Sequence, residues 1–313
     1  MQIYVQSFCE AWLAAGGRAV LRCEAFQRGL LKNLGKALLA LGMHRFPSML
    51  RFAPYQTYLV CSRGGHLAKA ALPYAFRGEV VPMLWDCWPE TWPGLERSLR
   101  QLDVKLCFVT ASDVAARFSQ RLPGIKFVHV PEGVALADYS AGKPLSARQT
   151  DVYELGRRHP DVHEALMAGE IGRRCRYICN RPGRKRPDFI FSSWADYCAG
   201  LADTKITVSF PRSMTDAGCA AVETLTMRYF EAMLSGCVVV GRAPRELVEV
   251  MGYNPVIEMD MTRPVDHLLT LLSDIEALQP FVDRNRRRAL EVGSWAARMP
   301  AVRAALSAHG YAF

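Results

Sequence analysis

Two glutamates eight positions apart, Glu223 and Glu231, are the residues whose type and spacing point most directly to chemistry. They lie in the stretch ETLTMRYFEAMLSGCVVVG, in which an apolar run continues beyond Glu231 to a Ser-Gly break at 235–236. The pattern predicts a helix over 224–235, a glycine stop and the buried strand 237–241. Two carboxylates are therefore expected on, or just before, a helix that leads straight into the core.

The separation of Glu223 and Glu231 limits what they could bind. Eight residues of continuous helix rise about 12 Å, so the two carboxylates could not hold the same small group. They could hold the two ends of an extended ligand if Glu223 precedes the helix and Thr224 or Thr226 caps it. Open amides at such a helix start favour an anion, and a diphosphate between a sugar and a ribose suits that position.

Positive charge is concentrated in one segment. The chain of 313 residues has a formal net charge of +9, and its length predicts two domains of about 150 residues each. Residues 157–186 contain nine basic and three acidic side chains, which accounts for six of the nine net charges. Such a basic surface attracts phosphates, whether on a nucleotide, a nucleic acid or a lipid headgroup.

Cysteines and histidines show no spacing typical of a metal site. Most of the ten cysteines stand in apolar runs, which indicates buried thiols and a reducing compartment. Cys175 and Cys179 have no second pair nearby, and His159 and His163 have no evident third ligand. There is no apolar leader at the N-terminus and no run of about 18 apolar residues. We therefore expect a cytoplasmic protein that needs neither a metal nor a cofactor.

Short β-branched or aromatic runs alternate with amphipathic stretches along the chain, which predicts parallel sheets covered by helices, an α/β fold. The strands are expected at 2–6, 58–62, 79–84, 104–109, 125–130, 151–155, 175–179, 205–210, 237–241 and 255–259. The helices are expected at 20–42, 66–76, 93–103, 112–121, 161–170, 188–201, 224–235, 244–251 and from 264 onward. The polar stretch 137–150 is typical of a linker. We therefore expect one α/β domain over 1–136 and a second over 151–313.

Several motifs of phosphate handling and hydrolysis are absent from the sequence. There is no G-x-x-x-x-G-K-[ST] loop and no G-x-G-x-x-G after a strand, which argues against an ATPase and an ordinary dinucleotide dehydrogenase. A G-x-S-x-G elbow and an Asp-x-Asp pair are missing as well. Any diphosphate must then be neutralised by cationic side chains and helix ends.

The stretch 223–239 resembles the E-x7-E element of retaining GT-B glycosyltransferases of the large group 1, family 4-like type. The segment DVYELGR at 151–157 is similar to the strand and Gly-Arg turn that open the donor domain of that family. The resemblance implies two Rossmann-like α/β domains facing a cleft, the first binding the acceptor and the second a nucleotide-sugar donor. It also implies that Glu223 approaches the donor sugar, that Glu231 holds the ribose hydroxyls and that Arg157 contacts the diphosphate.

One departure from the family pattern concerns the second phosphate-binding cation. Family members usually carry a lysine shortly after the arginine, where this chain has Val162 and His163. Arg228, on the predicted helix, could replace that lysine. Arg184 and Lys185 in the basic segment could do so as well, and the sequence leaves the choice open.

Candidates for the acceptor side lie at strand ends in the first half, where ligand sites of α/β proteins gather. His66 follows the pair Gly64-Gly65, and Asp86 stands among three tryptophans as a candidate base. Glu132 ends the last strand before the linker. The glycines also fit an ordinary turn, the tryptophans core packing and Glu132 a solvated loop, so spacing alone identifies no role.

The resemblance implies transfer of a sugar from a nucleotide-diphosphate donor to an acceptor hydroxyl with retention of anomeric configuration. Attack then occurs from the front side, and the leaving diphosphate helps to accept the proton. Arg157, Arg228 and the helix start would stabilise the departing charge. The commonest work of the family points to bacterial surface glycans or glycolipids as products.

The stretch 20–42 is amphipathic, with Arg22, Arg28, Lys32 and Lys36 among leucines. This pattern is compatible with contact with anionic lipid at the inner face of the cell membrane. It is equally typical of a helix that covers a sheet and keeps its charged side in solvent.

Two alternatives stand beside the transferase interpretation. The basic segment 157–186 could bind a nucleic acid or another polyanion without catalysis, but Tyr177 is its one aromatic residue, and single-strand binders use several as stacking platforms. A GT-B nucleotide-sugar epimerase would share the fold and the donor site. Product analysis without an acceptor separates an epimerase from a transferase.

Overall fold

The structure is a computed structural model that describes residues 3–18, 33–35, 37, 40–41, 56–180 and 190–313. The chain forms two compact units. The first consists of two segments, the N-terminal one up to Pro131 and the C-terminal one, Arg298–Phe313. The second unit is Glu132–Ala297. Each unit is built on its own parallel sheet. Among the described helices, none combines the length and apolarity needed to cross a bilayer.

This division differs from the expected one in two respects. The stretch 137–150, expected to be a linker, carries Tyr139 and Leu145, both of which are buried in the cores of the second unit. The C-terminal residues, expected in the second domain, belong to the first unit. There the ring of Phe313 lies 4.4 Å from that of Trp12, so an aromatic contact distant in sequence holds the end of the chain.

The described part of the first unit contains four parallel strands in the order in which they occur along the chain. They are β1 (Gln56–Arg63), β2 (Gly78–Trp85), β3 (Leu106–Val109) and β4 (Lys126–His129). The helices between them are α2 (Leu67–Ala75), α3 (Trp92–Gln101) and α4 (Ser112–Arg121), and the helix Met299–Ala308 also belongs to this unit. Strands and helices predicted between 58 and 130 are confirmed. Every residue of β3 is buried, as expected for a strand covered on both faces.

The strand predicted at 2–6 is wrong, because the described residues 3–6 begin the helix α1 (Ile3–Ala14). The run QIYVQ has β-forming side chains, but packing overrides that weak local preference. In the helix Phe8 is buried and meets the Trp85 ring edge-on at 5.6 Å, and Gln6 bonds Glu10 one turn later. The basic helix predicted at 20–42 lies outside the described residues, apart from 33–35, 37, 40 and 41.

Five parallel strands are found in the second unit, outside residues 181–189. They are β5 (Thr150–Glu154), β6 (Tyr177–Cys179), β7 (Thr204–Ser209), β8 (Val238–Gly241) and β9 (Ile257–Glu258), arranged β6-β5-β7-β8-β9. Its helices are α5 (Pro160–Ala168), α6 (Glu170–Arg174), α7 (Trp194–Ala202), α8 (Arg212–Thr215), α9 (Met227–Leu234), α10 (Arg245–Met251), α11 (Pro264–Ser273) and α12 (Gln279–Val292). All five strands predicted for this half are confirmed within a few residues. The helix expected from 264 onward is interrupted by turns.

Alternation along β8 explains why both faces of this sheet are covered. Val238 and Val240 pack into one core, and Val239 packs into the other. Neighbouring strand residues point to opposite faces, so a run of apolar residues requires helices on both sides.

The strand order also determines where a ligand would bind. The chain adds β6 on one side of β5 and then returns to place β7 on the other. In open α/β sheets, ligands bind outside the carboxyl ends of the strands at such a switch point. The residues that follow β5 and β7 are therefore the first place to look for a site.

Candidate functional site

The turn after β5 lies at the switch point of the sheet. Gly156 has φ of +86°, a left-handed conformation that glycine adopts without strain. Arg157 follows it and is exposed, and α5 then begins with Pro160 at its first position. The sequence-predicted Arg157 therefore stands where the strand ends and the next helix begins.

Arg228, near the start of α9, reaches the same turn. A Cβ on Gly156 would lie 2.8 Å from both Cζ and Nη1 of Arg228, so the guanidinium lies directly over the glycine. Within the described residues Nη1 of Arg228 is buried and has no hydrogen-bond partner. This turn thus carries Arg157 in its own sequence and is contacted by Arg228, whose Nη1 is an unused donor. The other two candidate cations, Arg184 and Lys185, lie outside the described residues.

Glu223 lies before α9, in the loop, as required for a carboxylate that acts ahead of the helix. Its Oε1 accepts a hydrogen bond of 2.7 Å from the backbone amide of Arg245, the first residue of α10. In return, Oε2 of Glu246 accepts a 2.7 Å bond from the backbone amide of Leu225. These reciprocal bonds fasten the loop that carries Glu223 to the start of α10.

Glu246 helps to hold the loop that carries Glu223, and it was not singled out from the sequence. It is 1% exposed and also lies 3.4 Å from the hydroxyl of Thr224. The one local indication of a role for Glu246 is its position in the first turn of the helix that follows Pro244, because carboxylates favour helix N-termini. Its partner is more than twenty positions away, and nothing local identifies it.

The predicted threonine cap of α9 is found in position, at Thr226, but without its side-chain bond. The helix begins at Met227, and Thr226 holds the capping position but makes no side-chain capping bond. Instead, Oε2 of Glu132 accepts a 3.1 Å bond from the amide of Met227. A carboxylate is a stronger partner for a helix start than a hydroxyl, because it adds a full charge to the hydrogen bond. Glu132, a candidate for the acceptor side, therefore occupies one of the amides expected to face a diphosphate.

Glu231 lies in the middle of α9 and is only 6% exposed. The hydroxyl of Tyr139 donates to Oε1 at 3.2 Å, and the hydroxyl of Tyr197 donates to Oε2 at 2.5 Å. Burial raises the pKa of Glu231, and the two phenol bonds act in the opposite direction. Each oxygen already accepts a protein hydroxyl, so only the remaining lone pairs are available to a ribose.

Aromatic side chains surround the Glu231 carboxylate. Trp194 and Tyr197 of α7 are stacked with ring centroids 5.0 Å apart, and Trp194 meets Tyr139 edge-on at 6.2 Å. The indole of Trp194 donates to Asp138 at 3.0 Å. This cluster was not predicted, because its members come from separate elements and show no periodic pattern. Flat aromatic faces beside hydroxyl groups suit a nucleoside or a sugar ring.

The candidates of the first unit lie near the carboxyl ends of its strands. Asp86 follows β2 with φ of +50°, one of two described non-glycine residues in the left-handed region. His66 is exposed, and its Nε2 lies 3.3 Å from Nη2 of Arg63. Backbone strain of this kind is concentrated at functional sites, which keeps Asp86 as the stronger candidate.

The tryptophans around Asp86 serve mainly as packing residues. Trp85 and Trp88 are buried at 1% and 7% exposure. Trp92 donates from its indole to the carbonyl of Cys87, and the guanidinium of Arg117 lies over its ring at 4.1 Å. Their expected role as faces for a sugar ring therefore has no support from the side chains of Trp85 and Trp88.

Comparison with known proteins identifies the fold. No protein-family model matches the sequence, and no curated protein matches it. A sucrose-phosphate synthase structure from Thermosynechococcus elongatus aligns with 98% of this chain and 93% of its own, at 14% identity and a TM-score of 0.65. The structure of TarM aligns with 85% of this chain and 58% of its own, at 11% identity and a TM-score of 0.54. A glycosyltransferase from Rickettsia africae aligns with 96% and 87%, at 12% identity and a TM-score of 0.53.

These solved structures are GT-B glycosyltransferases, and the chain has the GT-B fold that the resemblance implied. At these identities the likeness concerns the fold. What the site does must be argued from its own residues.

Proposed function

We propose that this protein is a glycosyltransferase that moves a sugar from a nucleotide-diphosphate donor to an acceptor hydroxyl. The observation that carries the proposal is the position of the Arg228 guanidinium over Gly156, beside Arg157, at the switch point of the second sheet. Two cations at a glycine turn, one with a buried unused donor, form an environment for a diphosphate. Arg228 is accordingly our choice for the cation that replaces the lysine of the resembling family.

In this scheme Arg157 and Arg228 stabilise the diphosphate as it leaves the sugar. Charge develops on the leaving oxygens in the transition state, and fixed cations that need no reorganisation lower the barrier. The acceptor oxygen bonds to the anomeric carbon on the face from which the diphosphate departs, so the anomeric configuration is retained, and the leaving diphosphate on that same face helps to accept the proton of the acceptor hydroxyl. The protein side chains supply the positive charge, and the reaction needs no metal.

Glu223 and Glu231 serve the two ends of the donor. The bond from the Arg245 amide fixes one oxygen of Glu223, and this orients the carboxylate for the donor sugar. Glu231 acts at the ribose end together with Tyr139 and Tyr197, whose hydroxyls are bonded to it. Thr224 supports this loop through its contact with Glu246.

The acceptor belongs to the first unit in this proposal, with Asp86 as the base candidate and His66 as a second polar contact. Support comes from the positive φ of Asp86 after β2. We propose a glycan or lipid-linked acceptor of a bacterial surface polymer, handled in the cytoplasm or at the inner face of the membrane. Nucleic acid is not part of this scheme.

Calorimetric titration of the purified protein with UDP, GDP, dTDP and ADP tests the donor site. We expect one nucleotide to bind, and Arg228→Ala to weaken its binding about tenfold or more, since hydrogen bonds to charged groups contribute about 1.5–3 kcal/mol. Arg174→Ala is the matched control, because this exposed arginine lies in the basic segment 157–186 but away from the turn at Gly156, and it pairs with Glu170. The Arg174→Ala variant should bind the nucleotide with unchanged affinity.

The same titration separates the alternatives. A loss in Arg174→Ala as large as the loss in Arg228→Ala, with a steep salt dependence, would support polyanion binding through the basic segment 157–186. No binding of any nucleotide by folded protein would overturn the donor site. Selective binding followed by epimerised donor in the absence of an acceptor would identify an epimerase instead.

A further inference from the structure

A carboxylate, an imidazole and a thiol meet on the α5 side of the second sheet. Glu154 ends β5 and Cys179 ends β6, and the two residues are direct partners in the parallel register. Partners in neighbouring strands point to the same face. His163 comes from α5, and its Nδ1 lies 2.6 Å from Oε2 of Glu154. One ligand atom from each of the three lies within 4.8 Å of the others.

The Glu154 carboxylate is incompletely satisfied. The residue is 1% exposed, and its Oε1 has no hydrogen-bond partner among the described residues. Its other oxygen, Oε2, accepts bonds from Tyr177 at 2.7 Å and from His163. Buried polar atoms without partners are rare, and an ion that belongs at the site is one of the standard explanations.

We propose that Glu154, His163 and Cys179 bind a divalent metal ion of the zinc type. A thiolate and an imidazole select a borderline-soft ion, and a single carboxylate completes three protein ligands of a tetrahedral site. The fourth position is left for water, which can enter beside His163, whose side chain is 23% exposed. On binding, the Cys179 thiol releases its proton to solvent and its sulfur bonds the metal.

Arg158 competes with the metal for His163. Its Nη1 lies 2.8 Å from Nε2 of His163, and because a guanidinium only donates, Nε2 must be the acceptor. The ring proton is then on Nδ1, directed at Glu154. A metal on Nδ1 would move that proton to Nε2, and a metal on Nε2 would take the lone pair that accepts from Arg158. In either case metal binding releases Arg158.

This site goes beyond the proposed transfer reaction and does not depend on it. The residues proposed to bind the donor, Arg157, Arg228, Glu223 and Glu231, are not among its ligands. A metal here would stabilise the β5–β6 edge of the sheet and change the charge next to the turn. Because the two proposed sites share no residue, failure to bind nucleotide would not count against the metal site, and failure to bind metal would not count against the donor site.

Titration of the metal-free, reduced full-length chain with Co²⁺ tests the proposal. We expect one equivalent to bind, with a thiolate-to-cobalt charge-transfer band and the visible absorption of tetrahedral Co²⁺. Cys179→Ser should abolish the charge-transfer band, and His163→Gln should weaken binding about tenfold or more. Cys175→Ser is the matched control, since Cys175 is a partly buried cysteine in the same segment but is no ligand. It should retain the full band.

Arg158→Ala gives a readout that misfolding cannot imitate. Removing the competing donor should tighten Co²⁺ binding about tenfold, as expected for loss of a charge-assisted hydrogen bond. The site would be overturned by the absence of a thiolate band, by a band that persists in Cys179→Ser, or by its loss in Cys175→Ser. Unchanged affinity in Arg158→Ala would overturn the assignment of His163 as a ligand.

Discussion

The guanidinium of Arg228 lies over the α-carbon of Gly156, so close that a Cβ on the glycine would come within 2.8 Å of it. The contact joins a helix of the E-x7-E stretch to the turn after the first strand of the same unit, about seventy positions earlier in the chain. Glycine is required at position 156 for two reasons: its backbone has a positive φ, and the Arg228 guanidinium occupies the space that a Cβ would fill.

Gly156→Ala is expected to displace Arg228 and to weaken nucleotide binding about tenfold. The Cβ would clash with the guanidinium, and the positive φ would add about 1 kcal/mol of backbone strain. Calorimetry with the bound nucleotide and urea unfolding measure the two effects. Gly252→Ala is the matched control, because Gly252 has φ of +81° and open space where its Cβ would lie. It should lose similar stability with unchanged nucleotide affinity, and an equal loss of affinity would contradict the contact.

Glu246→Gln should destabilise the protein by about 2 kcal/mol and loosen the loop that carries Glu223. The buried carboxylate accepts from the Leu225 amide at 2.7 Å, and bonds to charged groups are stronger than neutral ones. Urea unfolding measures the change. Glu249→Gln, which removes an ion pair with Arg245 that is well exposed on both sides, should change stability by less than about 0.5 kcal/mol. Similar small changes in both variants would show that the reciprocal bonds contribute little.

The buried carboxylate of Glu231 predicts a specific pH dependence of stability. Burial raises its pKa above the ordinary value, so the native state binds a proton that the unfolded chain has already released. The associated stability is fully present below the ordinary glutamate pKa of about 4.3 and is lost as pH rises through the native value. Glu231→Gln should remove this decrease of the unfolding free energy with rising pH. The measurement is the difference in unfolding free energy between wild type and variant across that pH range.

The sign of that difference is the critical outcome for Glu231. If wild type gained stability relative to Glu231→Gln as pH rose, the phenol bonds would dominate burial and the native pKa would be lowered. Glu258→Gln is the control for replacing a glutamate of the same unit whose side chain is 47% exposed.

Asp86→Asn is expected to slow sugar transfer about 10²–10⁴-fold while leaving nucleotide binding intact. Asparagine tolerates the left-handed conformation, so the backbone is preserved and only the base is removed. Transfer assays with the donor found by calorimetry measure the effect. Asp103→Asn is the matched control, because Asp103 has φ of +53° and an exposed side chain. Full transfer by Asp86→Asn would remove Asp86 as the base candidate.

Periodicity along the chain was enough to predict most elements of both sheets. Runs such as 237–241 and 106–109 are apolar throughout, and such runs become strands only when helices cover both faces. The placement of Glu223 before a helix and Glu231 within it also follows from local pattern. These features depend on neighbours within about one or two turns, which a single sequence displays.

Features that join distant segments required the folded chain. Residues 3–6 near the N-terminus are helical because Phe8 packs against Trp85, and the amide of Met227 is bonded by Glu132 rather than by the threonine beside it. Glu154 and Cys179 become neighbours only through strand pairing. Local preferences amount to a few tenths of a kcal/mol per residue, whereas burial of an aromatic ring or a charged hydrogen bond contributes about 1.5–3 kcal/mol. Where the two conflict, the tertiary contact decides the structure, and the identity of that contact is not written in the local sequence.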